Sequence, residues 1–254
     1  MARGRAGWLR WYRSWEAQQE SFNRNRERRF SAMLDVLAAT LPPRFRALDL
    51  GAGPGSLSER LLRRFPRARC VAVDRDPVVQ RIGRGALGTV HGRLTWVEAE
   101  LGSPDWTSAL PRGKFDAAVS TTALHWLDRP HLERLYIDLG RRLRRGGAFV
   151  NGDRLPWGRD APSLSRLAGR VRAVRRRRVG SPSTWDAWTT WWTSAERDAE
   201  LRPYFALRRG PGCAHPRRGD LALSVHEAAL ERAGFRSVEV VWRDLEDSVL
   251  FARR

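Results

Sequence analysis

Apolar residues in the first forty positions keep a helical period. Trp8, Trp11 and Trp15 fall at i, i+3 and i+7, on one face of a helix. Phe30, Leu34, Leu37 and Leu41 continue that spacing, and Pro42-Pro43 closes a second helix. From residue 46 the pattern changes to short apolar runs. Arg46-Ala-Leu-Asp-Leu50, Cys70-Val-Ala-Val-Asp74, Thr95-Trp-Val-Glu-Ala99 and Phe115-Asp-Ala-Ala-Val-Ser-Thr-Thr122 predict strands, and a fifth follows the turn Leu143-Arg-Arg-Gly-Gly147 up to Asp153. Ser56 to Arg64, Pro77 to Arg84 and Pro130 to Arg144 predict the helices between them. Alternating strands and helices predict an α/β fold with a doubly wound, mostly parallel sheet. Such a sheet needs helical cover on both faces.

Residues 154 to 222 break the alternation and are too long for a plain connection. Leu164, Leu167, Val171 and Val174 mark one amphipathic helix there; Trp185, Trp188 and Trp192 mark another. These tryptophans read chiefly as a small core of the insert itself, leaving one against a ligand. Ser224 to Ala233, stopped by Gly234, is the last helix, and Ser237 to Trp242 with Ser248 to Ala252 form an antiparallel hairpin at the sheet edge. The chain thus divides into a helical cover (1–43), a cofactor-binding core (44–153), an inserted helical lid that forms the acceptor pocket (154–222), and a closing helix and hairpin (223–254).

Between the first strand and the helix at Ser56, Gly51, Gly53 and Gly55 alternate. Glycines spaced in this way let the backbone turn sharply and let a ligand approach closely. A strand-to-helix loop is also where an open α/β sheet binds nucleotide-like cofactors. The dinucleotide pattern G-x-G-x-x-G fails at Ser56, and no Lys-Ser or Lys-Thr pair completes a phosphate loop. What remains is acid-x-Gly-x-Gly-x-Gly with Asp49 as the acid. Asp74 ends the second strand about 20 residues on, where an acid reaches ribose hydroxyls.

These motifs, with Glu100 after the third strand, Ser120-Thr-Thr at the end of the fourth and the Leu143 turn (Arg145 standing where proline is more usual), resemble the class I S-adenosylmethionine (SAM) dependent methyltransferases. The resemblance covers roughly residues 46 to 153 and the C-terminal strands. It implies a seven-stranded Rossmann-like sheet, SAM as cofactor and S-adenosylhomocysteine as product. It further implies that Gly51, Ala52, Gly53 and Gly55 line the donor, that Asp49 favours the methionine ammonium, and that Asp74 accepts from both ribose hydroxyls. Arg75 would lend backbone and stem to the adenine face, Glu100 and Leu101 would sit at the adenine, and Ser120 would line the methyl-transfer end. The N-terminal helices would form a partial cover over the cofactor.

His125-Trp126 follows the fourth strand, as in small-molecule carboxyl methyltransferases of the trans-aconitate type, which the sequence resembles here. A carboxylate acceptor is already anionic and needs no base; proximity, alignment and desolvation then carry catalysis, and His125 orients acceptor or loop. For a hydroxyl acceptor, His125 serves as general base. The Asn-Pro-Pro-Tyr motif of many amino methyltransferases is absent, which argues against methylation of bases or glutamine. The expected acceptor is therefore a small molecule with a carboxylate or hydroxyl oxygen. The alternatives are a nucleic acid or protein acceptor, or a catalytically silent SAM- or RNA-binding protein. A nicotinamide oxidoreductase is disfavoured by Ser56 and by the lack of a Tyr-x-x-x-Lys pair.

Composition changes little in this picture. No run of 18 apolar residues predicts a membrane span, no apolar leader core is apparent, and no metal-ligand set is expected. Two cysteines, Cys70 and Cys213, make no disulfide framework and suit a reducing cytoplasm. The formal charge of +19 would suggest nucleic acid, but Lys114 is the only lysine, and arginines are spread along the whole chain. Their one cluster, Arg172 with Arg175 to Arg178, reads as a solvated helix face, with an anion or nucleic-acid site as the alternative.

Overall fold

The computed structural model describes residues 3–23, 25–158, 161–179, 184–208 and 221–254. In chain order the elements are α1 (Arg5–Phe22), α2 (Arg26–Thr40), β1 (Arg46–Leu50), α3 (Ser56–Arg64), β2 (Arg69–Asp74), α4 (Pro77–Leu87), β3 (Leu94–Glu98) and β4 (Phe115–Thr121). A short 3-10 turn (Leu124–Trp126) leads to α5 (Arg129–Arg142) and β5 (Leu143–Arg154). Then come α6 (Pro162–Val179), α7 (Thr184–Arg197), α8 (Arg202–Arg208), α9 (Leu223–Arg232), β6 (Arg236–Asp244) and β7 (Asp247–Arg253).

The seven strands form one sheet in the order β3-β2-β1-β4-β5-β7-β6. β1 to β5 pair in parallel, while β7 enters antiparallel between β5 and β6. The order reverses between β1 and β4, and the crevice outside the carboxyl ends at that reversal is the general ligand position of open α/β sheets. The fold is the seven-stranded, Rossmann-like sheet of the class I methyltransferases. α5 ends at Arg142, two residues short of the expected stop, because the chain enters β5 at Leu143. Gly146, at φ +77, then takes up the register shift against β4.

Period-two burial sorts the strands into two faces. Leu48, Leu50, Val73 and Phe149 pack towards Tyr136 and Leu139 of α5 and Leu230 of α9. Ala47, Ala72, Val119 and Val150 pack towards Met33 and Leu37 of α2 and Leu61 of α3. α2 is therefore cover for the sheet, and its apolar stripe is the reason.

α1 behaves differently. Trp8 and Tyr12 pack with Val78 and Ile82 of α4, and with Trp191 and Phe205 of the insert. A Cβ on Gly85 would lie 2.3 Å from the Trp8 ring, so only glycine lets this helix pair close. The insert tryptophans do not make a core of their own. Trp188, Trp191 and Trp192 surround Trp15 of α1, with ring centroids 6.0, 5.0 and 6.0 Å away. The side chain of Trp185 lies outside the described residues, as does Cys213. Among the described residues, no helix is long and apolar enough to cross a membrane.

Candidate active site

The loop after β1 is built on left-handed glycines. Gly51, Gly53 and Gly55 have φ of +68, +56 and +88, which side-chain-bearing residues seldom adopt. A Cβ on Gly51 would stand 2.2 Å from Cβ of Ala123, so the loop also presses against the end of β4. Asp74 holds it from the other side. The Gly53 N–H donates to Asp74 Oδ2 at 2.7 Å, and the Asp76 N–H donates to Oδ1 at 2.8 Å. Burial pushes the Asp74 carboxyl up to about 6 against those two donors. α4 is capped by Asp76, which accepts from the Val78 N–H at 3.0 Å. Each oxygen of Asp74 thus takes one backbone donor.

Asp49 is fully buried beneath the same loop. Ser58 Oγ donates to its Oδ2 at 2.6 Å, while Oδ1 has no partner. Burial drives the carboxyl up to about 7, opposed by the Ser58 bonds and reinforced by the charge of Asp74. A buried carboxylate with one orphaned oxygen fits a cationic partner.

Other expected residues are placed differently. Arg75 Nη1 donates to Glu100 at 3.0 and 2.9 Å, so these two side chains form an ion pair across the ends of β2 and β3. Ser120 is fully buried, and its hydroxyl donates to the Leu50 carbonyl at 2.8 Å, tying the two strands of the reversal rather than facing a ligand. The Leu101 side chain belongs to the core. Strand alternation explains Ser120, since a residue two on from the core-facing Ala118 shares its face. Only the backbones of Ser120 and Leu101 remain at the sheet edge.

α1 roofs the loop. Trp15 lies 3.9 Å from where a Gly53 Cβ would be. Glu16 accepts from Ser56 Oγ at 2.5 Å at the start of α3, and from both terminal nitrogens of Arg26 at 2.9 and 2.7 Å. Burial would raise the Glu16 carboxyl, but the bonds and charge of Arg26 outweigh it and hold it low. The insert is tied to the same region through Arg208, whose Nε donates to Asp76 at 2.8 Å.

Beyond β4 the chain turns at Thr122, a left-handed residue with φ +50, and places His125 against the end of β5. His125 Nδ1 lies 2.8 Å from Asp153 Oδ1, and its backbone N–H donates to Oδ2 at 3.2 Å. The Arg154 N–H adds a third bond to Asp153 at 2.8 Å. Burial alone would raise this carboxyl; the charge and hydrogen bond of His125 and the charge of Arg29 hold it below the usual range. Behind it, the Tyr136 hydroxyl and His226 Nδ1 meet at 2.7 Å, and burial pushes His226 down to about 4. Asp153 was not expected as a site residue; its only sequence signal is an acid at the end of the fifth strand.

Two arginines of the α6 cluster are paired, Arg172 with Glu246 and Arg175 with Asp244 at 2.8 Å. The side chains of Arg176 and Arg178 lie outside the described residues. Among the described residues, no group of three His, Cys, Asp or Glu side chains is arranged to hold a metal.

Comparison with known proteins identifies the family. The family described as Methyltransferase domain matches residues 47–147. A trans-aconitate 2-methyltransferase of Methylobacterium nodulans is 31% identical over 188 residues, which are 69% of this chain and 67% of that protein. One from Azoarcus sp. is 33% identical over 59% of this chain and 54% of its own length. An O-methyltransferase family 2 protein from Planctomyces limnophilus, solved in complex with apigenin, aligns with a TM-score of 0.56 at 18% identity, over 91% of this chain and 59% of that one, a likeness of fold alone. The matches span 54% to 67% of the lengths of these relatives. The chain belongs to the class I SAM-dependent methyltransferases.

Proposed function

We propose that the protein methylates a carboxylate oxygen of a small-molecule acceptor. The observation that carries this reading is the His125–Asp153 pair, set at the carboxyl ends of β4 and β5 beside the glycine loop. The names of the two relatives above, both trans-aconitate 2-methyltransferases, support the same acceptor class.

When bound, SAM supplies a methyl group on a positively charged sulfur. The chain's own residues do the rest. The orphaned oxygen of Asp49 receives the ammonium, and the free lone pairs of Asp74 receive the ribose diol. The Arg75–Glu100 pair and the Leu101 backbone border the adenine. With Asp153 occupying Nδ1, the His125 ring keeps Nε2 for the acceptor. That nitrogen orients the acceptor carboxylate, so that catalysis rests on alignment and exclusion of water. α1 acts as a cover together with α7 and α8 of the insert, since they share one aromatic cluster above the loop. A reducing cytoplasm suits the buried, free thiol of Cys70.

A hydroxyl acceptor is the second reading, because the same pair serves as a general base when His125 is neutral. Incubation with SAM and a panel of carboxylic acids and phenols, followed by S-adenosylhomocysteine release, tests both. Turnover with an acid of the panel supports the first reading. Turnover with phenols alone supports the second.

A further inference from the structure

The charge that Asp153 feels from α2 leads to a group outside the machinery above. Arg29 stands in the first turn of α2 and is only 2% exposed. Its Nη1 donates to Asp247 Oδ1 at 2.6 Å, while Nε and Nη2 are buried with no partner. These two nitrogens form the side-on edge of the guanidinium. The whole edge is unpartnered, while the third nitrogen is anchored.

The strand beneath is shaped for this side chain. A Cβ on Gly152 would lie 2.8 Å from both Cγ and Cδ of Arg29, so the arginine stem rests flat on β5 because residue 152 has no side chain. Thr121 is the register partner of Gly152 on β4. Its Oγ1 is also buried without a partner. Two residues before each, Val119 and Val150 lie in the same α2-facing cluster, so Thr121 and the fork share one face. The position is the carboxyl end of β4 and β5, close enough for the charge of Arg29 to lower Asp153.

A buried guanidinium is costly unless its donors are bonded. Asp247 balances the charge but leaves two parallel N–H groups, spaced to match the two oxygens of one carboxylate. A neutral hydroxyl would satisfy only one of them. Building on the methyltransferase reading, we propose that the Nε–Nη2 edge of Arg29, with Thr121 beside it, binds a carboxylate of the acceptor. That carboxylate is the anchor rather than the methylated group, since two charge-assisted bonds tie up the oxygens that would have to attack. The acceptor then carries an anionic anchor as well as its reacting oxygen. The fork is covered in this structure, so the acceptor reaches it only when the elements above it move.

The test is titration calorimetry on the full chain saturated with S-adenosylhomocysteine, using trans-aconitate, glutarate, benzoate and the trimethyl ester of trans-aconitate, with inorganic phosphate as a control anion. Wild type should bind the polyacids better than benzoate and bind neither ester nor phosphate comparably. Arg29→Lys keeps the charge near Asp247 but lacks the planar edge, and Arg29→Gln lacks both. Each should weaken polyacid binding by at least about tenfold while S-adenosylhomocysteine affinity stays unchanged. Equal polyacid binding in Arg29→Lys and wild type, or no acid binding by wild type, overturns the proposal. Loss of S-adenosylhomocysteine binding together with acid binding in both variants also overturns it, assigning Arg29 to the fold. Failure of wild type to bind S-adenosylhomocysteine would instead contradict the methyltransferase reading beneath it.

Discussion

Nδ1 of His125 stands 2.8 Å from Oδ1 of Asp153, and the same carboxylate takes the His125 backbone N–H at 3.2 Å. One buried acid thus fixes both the ring and the loop that carries it. Because a carboxylate only accepts, the ring proton is assigned to Nδ1.

Asp153→Asn should therefore remove a charge while keeping the shape. The expected result is a fall in kcat/KM of about 100-fold, at the low end of what acid–base groups contribute, with S-adenosylhomocysteine affinity within about twofold of wild type. A kcat-against-KM split separates this positioning role from a structural one, since lost orientation should fall mainly on kcat.

Asp74 joins two backbone N–H groups, from Gly53 and Asp76, at the end of β2. Asp74→Ala should weaken S-adenosylhomocysteine binding by about 1.5–3 kcal/mol, the range for hydrogen bonds to a charged group. It should also lower the melting temperature of the unliganded protein, because the loop loses its anchor. Unchanged affinity in calorimetry would mean that the ribose binds elsewhere.

Asp49 links cofactor binding to pH. Its folded carboxyl sits at about 7, above the ordinary 3.8. Between about pH 4 and 7 the folded state thus holds a proton that the unfolded state has released, so this group's contribution to stability falls as pH rises through that window. Capture of an ammonium favours the ionised form, so S-adenosylhomocysteine affinity should strengthen over the same window and level off above it. Asp49→Asn should remove most of this slope, leaving the smaller part from Asp74, whose carboxyl lies at about 6. Calorimetry from pH 5 to 8 on both proteins decides the matter; identical slopes would contradict the assignment.

Gly51 meets two separable constraints, a left-handed backbone and the 2.2 Å approach to Ala123. Gly51→Ala should cost about 1–2 kcal/mol for the backbone and about 1–3 kcal/mol for overpacking. Adding Ala123→Gly should restore only the second share. Thermal melts of the single and double variants measure the two shares, and full recovery in the double variant would show that the backbone conformation costs nothing.

Much of this architecture was legible in the chain. The apolar periods of Phe30-Leu34-Leu37 and of the strand runs are local, so α2 and β1 to β5 could be placed without tertiary knowledge. The glycine loop carries its own backbone requirement, which is why Gly51, Gly53 and Gly55 were found. Ser120 and Leu101 follow from motif position alone, although counting by twos along β4 turns Ser120 inward. Asp153 and Arg29 gain their meaning from the β4–β5 register and from the seating of α2 on Gly152, neither of which leaves a local pattern. The tryptophans of α1 and α7 each show a helical face, but nothing in either segment says that the two faces meet.

The most direct measurement is mass spectrometry of the products after incubation with SAM and the carboxylic acid panel. The expected result is a methyl ester of one acid, cleaved by mild base and formed in equal amount with S-adenosylhomocysteine. S-adenosylhomocysteine formed only with phenols, RNA or protein, and no ester from any acid, would contradict the account.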